Sequence, residues 1–69
     1  MNDQSANELR KKFVGKIIIG YNFKRWIVIA VNPMIHDDMA RIYLLSESGH
    51  LYNDVYLIEH FIDNVKLIA

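Results

Sequence analysis

The chain has 69 residues, no cysteine, eight basic and eight acidic side chains, and a hydrophobic content of 52%. It therefore predicts one domain without disulfide bonds or thiolate metal sites, stabilised by apolar packing and compatible with self-association. The formal net charge of zero argues against generic nucleic-acid binding, because phosphate neutralisation supplies most non-specific affinity.

The charges are unevenly distributed along the chain. Residues 1–35 carry a net charge of +4 and residues 36–69 a net charge of −4, so a local basic patch is compatible with overall neutrality. The polar start MNDQSANE lacks the cationic and apolar blocks of a signal peptide. Together with the missing cysteines, this favours a cytoplasmic protein.

The N-terminal part predicts one short helical element. Residues 1–7 are polar and are expected to be flexible, and residues 8–69 are expected to form the single folded domain. Asn7–Phe13 predicts a helical turn with Ser5 or Asn7 as its cap. Seven residues do not form a stable helix alone, so this turn must dock on the domain.

The most apolar segment, FVGKIIIGYNFKRWIVIAV, predicts a hairpin. Val14–Tyr21 alternates as a strand should, Tyr21–Arg25 forms the connection, and Trp26–Val31 is expected to be buried on both faces. The side chains expected to pack inward include Ile17, Ile19, Trp26 and Val28. A membrane span is excluded, because the longest apolar run has six residues where about 20 are needed.

Further strands follow this hairpin. Asn32 and Pro33 end the second strand, and Met34–Met39 is a loop. Arg41–Ser46 and Leu51–Ile58 predict two strands joined by the turn Glu47–His50, in which Gly49 is free to adopt a positive φ angle.

The C-terminal segment IEHFIDNVKLIA allows two interpretations. Its apolar residues recur at helical spacing, which is compatible with a C-terminal helix. The favoured alternative is a single turn at Glu59–Ile62 followed by a short strand at Asp63–Ile68, because Asp63 and Asn64 are poor helix-interior residues.

These elements predict an all-β fold, in which a short helical turn precedes four or five strands that curl around one apolar interior; the alternative is a four-stranded antiparallel meander with a C-terminal helix. The ending FIDNVKLIA resembles the turn and closing strand of an SH3 domain. The beginning NELRKKFVGKIIIGY resembles the helix and first strand of an Sm-like protein. Over about residues 8–69 the chain thus resembles the group that includes SH3, KOW, Tudor and Sm-like domains, and this resemblance implies a small five-stranded SH3-like barrel preceded by a short helical turn.

The resemblance implies an architecture and no functional residue. The chain lacks the acidic loop and the paired tryptophans of peptide-binding SH3 domains, and it lacks the second-strand glycine and uridine-binding pattern of Sm-like proteins. In length and composition, the chain also resembles small phage accessory proteins, which would place it in the host cytoplasm.

Catalytic and metal-binding patterns are weak. His36, Asp37 and Asp38 are contiguous but lack metal-ligand spacing, so they are interpreted as a solvated turn. Ser46 and Ser48 lie in a turn without an obvious base. We therefore expect a non-enzymatic protein without a cofactor or a bound metal.

A protein interface is the favoured function. The outward side of the third and fourth strands is expected to carry three tyrosines, which provide large rigid contacts with a hydroxyl group. An unpaired edge strand could also add to another chain. The expected interface residues, which would engage a protein partner and modulate or inhibit it, are Arg41, Tyr43, Tyr52, Asp54 and Tyr56.

The alternative function is single-stranded RNA or DNA binding of the KOW or Sm-like type. Cations beside aromatic rings can follow phosphates while the rings stack on bases. The candidate residues are Arg10, Lys11, Lys12, Tyr21, Phe23, Lys24, Arg25 and Trp26. The competing interpretation is that Phe23 and Trp26 belong to the core and the cations to its solvated rim.

Overall fold

The structure, a computed structural model, describes residues 3–20, 23–35 and 38–68. Its described elements, in chain order, are α1 (Asp3–Phe13), β1 (Ile17–Ile19), β2 (Arg25–Pro33), β3 (Met39–Ser46), β4 (Leu51–Leu57), α2 (Ile58–Asn64) and β5 (Lys66–Leu67). The five strands are antiparallel and form one sheet, which confirms the predicted all-β class with two short helices added.

The sheet has the strand order β4-β3-β2-β1-β5, so β4 and β5 lie at its two ends. Residues opposite each other in antiparallel strands point to the same face. Val28 pairs with Leu44, and Val31 with Ile42. These four side chains are buried, and they identify the core face of the sheet.

Both helices contribute to the core on that face. The core consists of Ala6, Leu9, Phe13, Ile18, Val28, Val31, Ala40, Ile42, Leu44, Ile58 and Phe61. The rings of Phe13 in α1 and Phe61 in α2 meet edge to face with their centroids 5.6 Å apart. The two helices therefore contact each other through aromatic side chains over the core face.

Helix α1 begins earlier than predicted. It starts at Asp3 and includes residues 3–7, which the sequence assigned to a flexible N-terminus. Its buried positions Ala6, Leu9 and Phe13 recur at helical spacing and lie on one side of the helix. Docking of this apolar side stabilises a helix that is too short to be stable alone.

The prediction that β2 is buried on both faces is wrong. Val28 and Val31 are buried, whereas Ile27 and Ile29 are 39% and 43% exposed. The pairing with β3 shifts between Val28 and Ala30, where Ile29 forms a bulge. In β1 the buried residue is Ile18, and Ile17 and Ile19 are only half-buried, so their expected inward orientation is also wrong.

The C-terminal segment forms a helical part followed by a short strand, as the favoured prediction has it. The helical part α2 is longer than a single turn, at seven residues, and β5 pairs with β1. The alternative with a C-terminal helix and four strands is wrong. The predicted hairpin turn is confirmed, since the Ser46 amide donates to the His50 carbonyl at 2.9 Å and Gly49 has a φ of 89°.

Candidate functional site

The five predicted interface residues do not share one face. Tyr52 pairs with Leu44, and Tyr56 with Ala40, so both tyrosines lie on the core-face side of β4. Tyr43 pairs with Asn53 on the opposite face. The predicted single tyrosine face is therefore wrong. Asp54 accompanies Tyr52 and Tyr56, and Arg41 accompanies Tyr43, because side chains alternate along a strand.

Tyr52 and Tyr56 belong to an aromatic cleft that no pattern in the sequence indicated. The cleft has a volume of ≈ 180 Å³ and is lined by Ile18, Gly20, Trp26, Leu44, Tyr52, Tyr56, Phe61 and Val65. The Trp26 and Tyr52 rings meet edge to face with centroids 5.1 Å apart. The Tyr56 and Phe61 centroids are 5.4 Å apart. The aromatic cleft is therefore walled by two pairs of contacting rings.

Gly20 allows the indole of Trp26 to lie close to the backbone. A Cβ atom at this position would lie 3.3 Å from Trp26 Cδ1, which is tighter than ordinary contact. Nothing in the local sequence indicates this role, since Gly20 also reads as an ordinary strand end. Phe61 and Val65 reach the cleft only because α2 returns the chain to the core face.

The turn between β1 and β2 exposes an aromatic ring. Phe23 is 93% exposed and has a φ of 57°, so its assignment to the core is wrong. The residues that follow it in the chain line a groove of ≈ 280 Å³, whose lining residues are Lys24, Arg25, Trp26, Ser46, Glu47, Ser48 and Tyr52. Trp26 and Tyr52 line both the groove and the aromatic cleft. Tyr21 lies outside the described residues.

The remaining predicted nucleic-acid-binding cations have other surroundings. Arg10 donates from Nε and Nη2 to the Val31 carbonyl at 3.2 and 2.6 Å, which ties α1 to β2. Lys12 lines a separate depression together with Glu8 and Glu59, and its Nζ lies 5.6 Å from the Phe13 centroid. The structure therefore does not bring Arg10 and Lys12 together with the groove that Lys24 and Arg25 line. Lys11 is exposed on α1.

The two turn serines do have a base within reach. Ser48 Oγ lies 2.9 Å from His50 Nδ1 and 3.0 Å from Ser46 Oγ. The Ser46 hydroxyl also accepts a hydrogen bond from the His50 amide at 3.0 Å. The expectation of serines without a base is thus wrong. Ser48 and His50 are exposed and Ser46 is half-buried, and the three bond within one tight turn, an arrangement that stabilises the hairpin.

The described residues contain no group of three or more histidine, aspartate or glutamate side chains placed to hold a metal. His36 and Asp37 lie outside the described residues. The Asp38 carbonyl accepts the Ile58 amide at 2.8 Å and so anchors the start of α2. Over residues 3–20, 23–35 and 38–68, neither helix is long and apolar enough to cross a membrane.

Comparison of the chain with protein-family models gave no match. Searches of the curated proteins and of the solved structures gave no match either.

Proposed function

We propose that this protein is a non-enzymatic binding module that engages a protein partner and modulates or inhibits it. The aromatic cleft carries this proposal. Its walls are apolar and aromatic, and Tyr52 stands at its edge with half of its surface (51%) exposed. Pockets of this kind receive an aromatic or aliphatic anchor residue of a partner, and such anchors dominate the binding energy of interfaces.

The proposal also includes closure of the sheet into an SH3-like barrel. Helix α2 connects β4 to β5, which are the two ends of the strand order. Apolar residues of both helices and of the inner strands join one core on the core face. A sheet curled around that core would bring Tyr52 and Val65 to opposite walls of the aromatic cleft.

A second candidate function is single-stranded nucleic-acid binding at the groove beside the cleft. The exposed Phe23 ring favours it, because an unpacked aromatic next to Lys24 and Arg25 can stack on a base while the cations contact phosphates. Glu47 in the same groove and the commitment of Arg10 to Val31 weaken this candidate. We therefore rank the protein partner first.

The first candidate is tested by selecting peptides that bind the protein from a random library. The protein is then titrated with the selected peptides and followed by NMR. We expect selected peptides to carry an aromatic or aliphatic anchor and to shift the indole resonance of Trp26. Tyr52→Ser should weaken their binding about tenfold or more, because an aromatic wall of the pocket is removed. Tyr43→Ser is the matched control, since it removes a tyrosine from the other face of the sheet.

The same titration with single-stranded DNA and RNA at two salt concentrations tests the second candidate. Binding that shifts Phe23 and Lys24 and weakens steeply with added salt would support nucleic-acid recognition. Peptides that bind Tyr52→Ser as tightly as the wild type, or that shift only resonances remote from Trp26, would contradict the protein-binding cleft.

A further inference from the structure

The face of the sheet opposite the core is largely apolar and carries neither helix. A row of aliphatic side chains crosses four strands at one level: Ile17 pairs with Ile27, Ile27 with Leu45, and Leu45 with Leu51. Ile27 is 39% and Leu51 61% exposed, and Ile17 and Leu45 are half-buried. The same side of the sheet also carries Ile19, Ala30, Asn32, Arg41, Tyr43, Asn53 and Val55. We call the row together with these residues the outer face.

This face is more apolar than is usual on a sheet exposed to water, although it carries Arg41, which donates to Asn53 Oδ1 at 2.7 Å. Antiparallel sheets with one solvated face normally alternate apolar and polar residues. Contiguous exposed apolar surface marks an interaction site. The apolar run Trp26–Val31, which predicted burial on both faces of β2, thus has only one face covered within the described chain.

Two side chains of opposite charge lie beside the aliphatic row, level with each other along the strands. Arg25 of β2 and Glu47, just after β3, line one shallow depression of ≈ 120 Å³ together with Ile17, Ile27 and Leu45. Neither Arg25 nor Glu47 forms an ion pair with another residue that the structure describes. The edge of the outer face therefore presents one positive and one negative group side by side.

We propose that the outer face binds the outer face of a second copy of this chain. A two-fold axis parallel to the strands, passing between β2 and β3, exchanges these two strands across the interface. Ile27 then lies over the second copy's Leu45, and Ile17 over the second copy's Leu51. The same operation places Arg25 over the second copy's Glu47 and the reverse, which forms two symmetric ion pairs. This self-complementarity of charge selects a second copy over an unrelated partner.

The dimensions of the face set the strength of the dimer. Four strands span about 14 Å, and the seven-residue rise from Arg25 to Asn32 spans about 23 Å. The projected area of roughly 300 Å² lies below the about 800 Å² of accessible surface that each partner buries in a standard interface. The dimer is therefore reversible, and its population rises with protein concentration.

Sedimentation velocity from low micromolar to the highest soluble concentration tests the dimer. The wild type should shift from monomer to dimer. Ile27→Lys should remain monomeric, because it places a charge over the second copy's Leu45. Tyr52→Ser, on the core-face side, should dimerise as the wild type does. A wild type that stays monomeric, or an Ile27→Lys variant that dimerises normally, would overturn the proposal.

Two charge-reversal variants test the proposed pairing of Arg25 with Glu47 across the interface. Arg25→Glu alone and Glu47→Arg alone should each raise the dimer dissociation constant about tenfold or more, because both symmetric contacts become repulsive. An equimolar mixture of the two variants should recover dimerisation, since each heterodimer contact again joins opposite charges. This rescue would not arise from ion pairs within one chain.

The mixture needs a control for long-range attraction, because the two variants carry opposite net charges. Lys11→Glu mixed with Glu59→Lys changes the net charges equally, but these exposed residues lie on the helices, away from the outer face. That mixture should associate no more tightly than the wild type. Equal gains in both mixtures, or no gain in the first, would overturn the proposed pairing of Arg25 with Glu47. Circular dichroism of each variant verifies the fold.

Discussion

Identical side chains have different roles in this small domain according to their position. Phe61 has no exposed surface and contacts the rings of Phe13 and Tyr56, whereas Phe23 is almost fully exposed at a turn. Burial of a phenylalanine stabilises a fold by removing apolar surface from water and by close packing. At the residue scale, Phe61 therefore stabilises the fold, whereas the exposed ring of Phe23 is available for binding.

Phe61→Ala should lower the free energy of unfolding by about 3–5 kcal/mol, because it leaves a cavity where both helices meet the sheet. Phe23→Ala should change it by less than about 0.5 kcal/mol, as is usual at exposed positions. Urea unfolding followed by circular dichroism measures both. If Phe61→Ala is unfolded in water, the milder Phe61→Leu retains a measurable transition. Equal stability of the two alanine variants would contradict the assigned core.

At the scale of elements, α1 is held by a specific polar contact in addition to its apolar side. The Arg10 guanidinium donates twice to the Val31 carbonyl and once to Asn7 Oδ1, at 2.6 Å. Val31 lies in β2 beyond the bulge at Ile29, so this contact joins the helix to the strand at a defined position. Arg10, which the sequence placed among the nucleic-acid-binding cations, thus has a structural role.

Arg10→Ala should reduce stability by about 1–3 kcal/mol, since hydrogen bonds from a charged donor to a partly buried carbonyl are lost. Lys11→Ala is the matched control on the same helix. Its side chain is exposed, and its replacement should be nearly neutral. Amide hydrogen exchange should speed up in α1 of the Arg10 variant more than in β3. Equal effects of the two substitutions would argue against a docking role for Arg10.

At the scale of the whole molecule, the sheet depends on its helices. Of the buried apolar residues, Ala6, Leu9 and Phe13 come from α1, and Ile58 and Phe61 from α2. A domain of this length buries only about 60% of its unfolded surface, so its stability is marginal even when complete. The strands alone would leave the core face open to water.

Deletion of residues 1–13 should therefore abolish cooperative folding, although it removes no strand. We expect the shortened chain to lose dispersed NMR amide signals and to aggregate. Deletion of residues 1 and 2 alone, before α1, should leave the unfolding midpoint unchanged and serves as the control. If the chain without residues 1–13 unfolds cooperatively at the wild-type midpoint, the sheet folds without α1.

The sequence alone determined the class of the fold and the alternation within β1, β3 and β4, though not within β2. Turn residues such as Gly49 and the β-branched runs act locally, so strands and hairpin turns could be predicted from neighbours in the chain. Within β4, Tyr52 and Tyr56 were correctly placed on one side, and within β3, Tyr43 was correctly placed away from the core.

Only the tertiary structure decided how those sides relate across strands. Alternation has a period of two, so it orders residues within a strand, but pairing register and bulges fix which sides of neighbouring strands coincide. For that reason Tyr43 and Tyr52 lie on opposite faces, although both were predicted to face outward. The aromatic cleft also required the sheet to bring Trp26 of β2 beside Tyr52 of β4, a non-local contact that no short segment of the chain encodes.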